Sequence, residues 1–511
     1  MTQPPSDQPS LGSKPVTQPP SDQPQLDLKP TVQEEEVDPG KDAPLITLTL
    51  SHNGDINRTA KGEIVTQIKH MIDNFDNIQS VYKKTIQYTL KFNKNFIVTG
   101  CEANEYLKKT LGISIKYEQN GVLTLLNIPK DGYEGKLYFK VIVKELLNGR
   151  PDIGTFEKNI LIAPDPKSLW NDKPVLDYEG YKTPDEATDY GEIPEISKVV
   201  IAASCRGRSH AHIGKPRDDS FAFKIDPVSG WNIVAVADGA GSAKYSRKGS
   251  EIACQTVVTR LMEFYSHSSY SDIFTQNESE FLKWKDDFNK TIATNYLESD
   301  SNYRKMLKYD AKYRSALDLD KYIYNTVYQA YMNIYNEAKA KNASVRDYHT
   351  TLLFLAFKKF PFGYFYSSFW IGDGAMAIYN LNNSGKVLTL GIPDSGEYSG
   401  QTIFLTMVEE IKPELVGNRT CFGFMEDFEA LILVSDGVTD PFFPSEASVA
   451  QEENWKRFWN QTLKQGDEEN PGCPKVFEPQ TPLAEKAKDL REWLDFWSKG
   501  NHDDRTILIV K

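Results

Sequence analysis

Stretches in which apolar residues recur at every second position alternate along this chain with stretches that show no period, and the contrast divides it into regions. Between about Pro44 and Ala163 the period of two dominates. In TIQYTLKFN, Ile86, Tyr88, Leu90 and Phe92 alternate with Gln87, Thr89, Lys91 and Asn93, as a strand with one buried face requires. ISIKYEQNGVLTLL predicts a hairpin turning at Asn120-Gly121, and GKLYFKVIVKEL and KNILIA predict further strands. The single helical candidate is GEIVTQIKHMIDNF. Residues 44–165 are therefore expected to form a small, mainly β, sandwich-like domain. They carry no cluster of acids, histidines or cysteines, so a spacer or the recruitment of a protein partner is the expectation there.

Residues 1–43 and 166–197 lack periodicity. The first segment repeats TQPPSDQP at 2–9 and 17–24 and reads as an extended, disordered proline-rich tail, a spacer, with docking through QPPSDQP as the alternative. The second is rich in Pro, Asp and Glu and reads as a linker.

From 198 to 511 the pattern is mixed. SRKGSEIACQTVVTRLMEFY and DKYIYNTVYQAYMNIYNEAKAK have helical spacing, and ESEFLKWKDDFNKTIATNYL between them reads as an inserted helix. DSFAFKI, NIVAVA, TLLFLAFK, YSSFWIG, KVLTL, QTIFLT, ALILVS and TILIVK read as strands. The fold class is α+β, with sheets covered by helices. The segment from Pro441 to Asn501, with Trp455, Trp459, Trp493 and Trp497, is expected to pack beside the active edge.

Composition narrows the function. A formal charge of −12 over 511 residues argues against nucleic acid as a partner. No window approaches the roughly 18 apolar residues of a membrane span. The five cysteines are scattered and form no CxxC pair, which suits reduced thiols in a cytoplasmic protein.

One local pattern recurs three times. NIVAVADGAG, SSFWIGDGAM and ALILVSDGVT each end an apolar strand with Asp-Gly, at Asp238, Asp373 and Asp436. Two further acid pairs precede strands, Asp218 and Asp219 in PRDDSFAFKI, and Asp503 and Asp504 in HDDRTILIVK. One Asp-Gly is only a turn signal. Five such positions point to carboxylates gathered at one sheet edge, where repulsion needs a cation to offset it. Oxygen donors suit Mg²⁺ or Mn²⁺ rather than zinc, and the glycine after Asp238, Asp373 and Asp436 lets backbone approach closely.

In order, GRSHAHIGKPRDDS, VAVADGAGSAK, HTTLLFLAF, FWIGDGAMAIYN, LILVSDGVTD and HDDRTILIV resemble the successive motifs of the metal-dependent PP2C (PPM) serine/threonine protein phosphatases, most nearly a bacterial branch. The resemblance covers nearly all of 198–511. It implies a β-sandwich of two antiparallel sheets flanked by helices, with two Mn²⁺ or Mg²⁺ ions at one end and room for a third. By motif, Asp238 would bridge the ions and Gly239 would bind one through its carbonyl. Asp436 and Asp503 would complete the shell, Asp218 and Asp219 would meet metal-bound waters, and Asp373 would help hold a third ion. A one-residue shift would exchange Asp503 with Asp504. Asp238 and Asp219 are the catalytic candidates. The implied substrate is a phosphoprotein, with a kinase or its target as companion.

Two departures stand out. Ala240 occupies the place of a histidine that many members carry between the glycines, and Gly214 falls where the phosphate-binding arginine is expected. Arg208, His210 and Arg217 are the candidates for holding phosphate. A catalytically silent phosphoprotein-binding domain is the alternative function. Cys254 and Arg260 have the Cys-x5-Arg spacing of thiol phosphatases, but no glycine lies between them and the run continues a helix, so a buried helical cysteine is expected.

Overall fold

In this computed structural model the chain separates into two units, Met1–Pro164 and Asp165–Lys511. Described are eight strands within residues 46–163 and, of residues 169–511, all but 176–180, 182, 277, 284, 287–317, 392 and 394–401. The proline-rich tail, the helix expected over GEIVTQIKHMIDNF and most of the inserted helix lie outside the described residues.

The first unit holds two four-stranded sheets. One has the order β1 (Ile46–Leu50), β3 (Ile86–Leu90), β6 (Val122–Leu126), β5 (Ser114–Glu118), and the other β2 (Ile78–Val81), β8 (Pro151–Ala163), β7 (Tyr133–Glu145), β4 (Phe96–Ala103). β5 and β6 pair antiparallel with Glu118 opposite Val122, closing a tight turn around Asn120-Gly121. The β1/β3 and β2/β8 pairs are parallel.

In the second unit a six-stranded sheet runs β16 (Lys386–Thr389), β15 (Ala375–Leu381), β18 (Ala430–Val434), β19 (Arg505–Val510), β10 (Lys198–Cys205), β9 (Glu186–Ile193). A five-stranded sheet runs β11 (Ser220–Ile225), β12 (Asn232–Ala237), β13 (Leu352–Phe360), β14 (Gly363–Ile371), β17 (Thr420–Met425). Every neighbouring pair in both is antiparallel. Val200, Val234, Leu353, Leu433 and Leu508 meet in one core shared by the two sheets. The opposite face of the five-stranded sheet packs through Ile233, Ala235 and Phe354 on Val257 and Leu261 of helix α2 (Ser246–Tyr265) and Ile323 of helix α3 (Leu319–Ala340). The opposite face of the six-stranded sheet packs through Ile201, Ile432 and Ile507 on Trp455, Trp459 and Trp493. Both faces of each sheet are thus covered, which is why β12 reads NIVAVA without alternation and is buried throughout.

Three expectations change. QTIFLT, read as a strand, is irregular over its described residues 402–406, where Leu405 N donates to the carbonyl of Thr350 outside any sheet ladder. Glu186–Ile193, within the segment read as linker, is an edge strand paired to β10, and its largely exposed, polar sequence hides it because it buries little side-chain surface. Trp455, Trp459 and Trp493 are sheet-backing core residues rather than neighbours of the active edge. Only Trp497 of the four approaches it, its ring tilted at 46° to that of His502 with centroids 5.0 Å apart.

Candidate active site

Antiparallel register brings the acid-bearing segments together. Ser220 at the start of β11 lies opposite Ala237 at the end of β12, Leu352 opposite Ile371, Ala375 opposite Val434, and Val434 opposite Ile507. Asp218 and Asp219 enter β11, Asp238 leaves β12, Asp373 leaves β14, Asp436 leaves β18 and opens helix α4 (Asp436–Phe442), and Asp503 and Asp504 enter β19. Five chain segments therefore deliver carboxylates to the same end of the two sheets.

The glycines after these acids are needed for close packing more than for conformation. A Cβ on Gly239 would lie 2.6 Å from the Asp218 carbonyl oxygen, and one on Gly437 only 1.9 Å from that of Asp504. The Asp238 backbone is clamped from β13: its carbonyl accepts from Thr351 N at 2.8 Å and Thr350 Oγ1 at 2.9 Å, while its N–H donates to Thr351 Oγ1 at 2.9 Å. Thr350 and Thr351 are positioning residues.

Carboxylate oxygens of Asp238, Asp373 and Asp436 lie within 4.8 Å of one another. Burial, then the charges of Asp436 and Asp219, push Asp238 well above the usual carboxylate range. Burial, then Asp373 and Asp503, do the same to Asp436. Asp219 is buried, with Oδ2 accepting from Ser435 Oγ at 2.8 Å and Thr506 Oγ1 at 2.7 Å; burial and then Asp504 raise it to about 6. Burial and then Asp504 raise Asp218 to about 7. Asp218 Oδ1 and Asp219 Oδ1 are buried oxygens that meet no hydrogen-bond donor among the described residues.

Beside this group His210, on helix α1 (Arg208–Ile213), comes within 4.8 Å of both Asp503 and Asp504. Asp504 is the organiser that the sequence did not single out. Only 2% exposed, it accepts from Gly207 N at 2.6 Å, Asp218 N at 2.5 Å and the His210 ring at 3.0 Å. Burial opposes its charge, but His210 and these donors hold it below the usual range. Burial likewise opposes the His210 cation, yet Asp504 and then Asp218 raise it to about 9. Asp503, in contrast, leaves its side chain half exposed and accepts from the adjacent Asp504 N at 2.9 Å. The doublet in the sequence does not distinguish its members; the burial of Asp504 and the exposure of Asp503 follow from how the chain enters β19.

Of the three candidates for holding phosphate, only His210 lies in the cluster. Arg208 donates to the Asp495 carboxylate and to the carbonyls of Asp495 and Phe496. Arg217 is buried, donating to the carbonyls of Pro184 at 3.2 Å and Asp219 at 3.0 Å. Both guanidinium groups are thus engaged by protein oxygens. Cys254 is fully buried in α2 and its thiol is pushed up by burial, the reverse of an activated nucleophile.

The donor set is all oxygen, densely packed and short of countercharge, and it fits a hard divalent cation. The protein phosphatase 2C profile matches residues 206–495, more than half of the chain, so the chain belongs to the protein phosphatase 2C family of serine/threonine phosphatases. A search of curated proteins finds no significant match. Among solved structures, RsbX in complex with magnesium is 13% identical, with 63% of this chain and 98% of that chain covered and a TM-score of 0.29. The Mycobacterium tuberculosis serine/threonine phosphatase PstP is 16% identical over 61% and 98% of the two chains, with a TM-score of 0.29. The PstP catalytic domain in complex with two manganese ions is 16% identical over 64% and 98%, with a TM-score of 0.28. Family membership rests on the sequence profile. Among the described residues no helix is long and apolar enough to cross a membrane.

Proposed function

We propose that the second unit hydrolyses phosphoserine and phosphothreonine in proteins at a centre of two Mn²⁺ or Mg²⁺ ions. The observation that carries this reading is the convergence of Asp238, Asp373 and Asp436 within 4.8 Å, next to buried oxygens of Asp218 and Asp219 that meet no donor among the described residues. Such a group is repulsive on its own, and perturbed carboxylates in a cleft mark functional sites.

Asp238 would bridge the ions, with the Gly239 carbonyl, Asp436 and Asp503 completing their shells. Asp218 and Asp219 would orient water, and Asp373 would support a third ion. The bound ions would supply a water acidic enough to ionise near neutral pH and charge to offset the phosphoryl oxygens. The chain's own contribution is rigidity. Thr350 and Thr351 fix Asp238, Ser435 and Thr506 fix Asp219, and Asp504 ties α1 and the Asp218 backbone to β19. The first unit, without an assigned ligand, would recruit a phosphoprotein or its kinase.

Incubation of the full chain with a phosphothreonine peptide and Mn²⁺ tests this. Release of phosphate that EDTA abolishes is expected. Peptide binding without release would mean a silent phosphoprotein-binding domain instead.

A further inference from the structure

A row of rings borders the carboxylate cluster on the side of α1. His502 directly precedes Asp503, so its Cα lies about 3.8 Å from that of a candidate metal ligand. The Trp170 ring centroid lies 4.4 Å from that of His502 and 5.4 Å from that of His212, near the end of α1; the Trp497 centroid lies 5.0 Å from that of His502. Trp170 and Trp497 both remain partly accessible. Leu169, 61% exposed, adjoins Trp170 in the chain, and Ile213, 56% exposed, adjoins His212. Large apolar side chains left open beside aromatic rings, next to a reaction centre, mark a binding surface.

This surface is held in place by the protein itself. Asn171 N donates to His212 Nδ1 at 3.2 Å and Lys173 N to the Ala211 carbonyl at 2.9 Å, which fastens the Trp170 segment along α1. Arg206 adds bonds to the Asp172 carboxylate at 2.6 Å and the Lys173 carbonyl at 3.1 Å. From the other side the His502 carbonyl accepts from Ser209 N at 3.0 Å and Ser209 Oγ at 2.8 Å. Rings fixed in this way lose little freedom on binding, so apolar contacts with them contribute affinity.

We infer that this surface selects the substrate, taking apolar or aromatic side chains that flank the phosphorylated serine or threonine of a protein segment. The inference rests on the phosphatase reading. The reach agrees with it: an extended peptide advances about 3.3–3.6 Å per residue, so with its phosphate at the carboxylates the residue two positions away lies about 7 Å along. The rings begin one residue from Asp503 and extend outward by such distances. The size agrees as well. A stable interface with a second copy of the chain takes about 20–30 residues a side, whereas the six residues Leu169, Trp170, His212, Ile213, Trp497 and His502 suit a peptide of a few residues.

The test compares two phosphothreonine peptides on the full, Mn²⁺-saturated chain, one with leucines on both sides of the phosphothreonine and one with serines there. Wild type is expected to favour the leucine peptide in kcat/KM by about tenfold, mostly through KM, the effect of one or two apolar side chains partly withdrawn from water. Trp170→Ala and Ile213→Ser, the latter at an exposed position, should each cut that ratio by about threefold or more, and Trp170→Phe should restore most of it. Mn²⁺ affinity should not change. Equal use of the two peptides by wild type would overturn the inference, as would a ratio unchanged in both variants. Loss of Mn²⁺ affinity in Trp170→Ala with the ratio kept in Ile213→Ser would make the rings a brace for Asp503 and overturn it too. So would a dimer, seen by analytical ultracentrifugation, that Ile213→Ser dissociates without altering the ratio. If the chain hydrolyses neither peptide, calorimetric binding of the same two decides: a preference for leucine that falls in both variants keeps the inference and rejects the phosphatase reading, and binding without preference, or none, overturns it.

Discussion

Asp503 and Asp504 are neighbours with the same side chain, and the structure assigns them opposite thermodynamic roles. Asp504→Asn keeps one acceptor oxygen but turns an NH₂ group toward donors that the carboxylate now serves, at Gly207 N, Asp218 N and the His210 ring. One buried N–H left unmet costs about 1–3 kcal/mol, and weakening a charged hydrogen bond adds about 1 kcal/mol. The total, about 3 kcal/mol, should lower Tm of the metal-free protein by about 5 °C or more, given about 2 °C per kcal/mol in a unit of this size. Asp503→Asn touches a half-exposed side chain whose one hydrogen bond is to its neighbour's N–H, so its metal-free stability should stay within about 0.5 kcal/mol of wild type. Its Mn²⁺ affinity should fall more than about tenfold. Scanning calorimetry in EDTA and titration with Mn²⁺ read the two effects separately. If Asp503→Asn lowers the metal-free Tm and Asp504→Asn does not, the two residues are exchanged and the account of β19 is wrong.

Further outcomes follow from the same geometry. In the metal-free protein Asp218 is raised to about 7 and Asp219 to about 6, so their contribution to stability is full below about 3.8 and is lost as pH rises through 6 to 7; saturating Mn²⁺ should therefore raise Tm more at pH 7.5 than at pH 5.5, and a pH-independent gain would contradict this. Asp436→Asn removes one of the charges crowding Asp238 and Asp373; it should raise the metal-free Tm while abolishing Mn²⁺-dependent hydrolysis, and a lower metal-free Tm would show that repulsion is not the dominant force there. Cys254→Ser preserves a donor toward the Ser220 carbonyl, 3.6 Å from Sγ, and should leave hydrolysis within about twofold of wild type; loss of hydrolysis in a folded variant would instead point to the thiol.

β11, β12, β13, β14, β16, β18 and β19 were legible as apolar runs, whereas β10, β15 and β17 were not read as strands, and the acids at the strand ends could be read in order. The motifs therefore pointed to acids gathered at one sheet edge. What escaped the sequence depends on pairing. β9 is an edge strand with a polar face, so composition disguises it. Arg208 and Arg217 look like free cations in GRSHAHIGKPRDDS, yet the carbonyls of Phe496 and Pro184, distant in sequence, engage them. The roles within the Asp503-Asp504 doublet likewise follow from which side chain β19 turns inward.

The most direct test of the central claim is to follow Mn²⁺ stoichiometry and phosphothreonine-peptide hydrolysis together in the full chain and in Asp238→Asn. The account predicts two ions bound per wild-type chain, hydrolysis that rises with their binding, and loss of both hydrolysis and paired binding in the variant. Hydrolysis that persists in EDTA and in Asp238→Asn would contradict it.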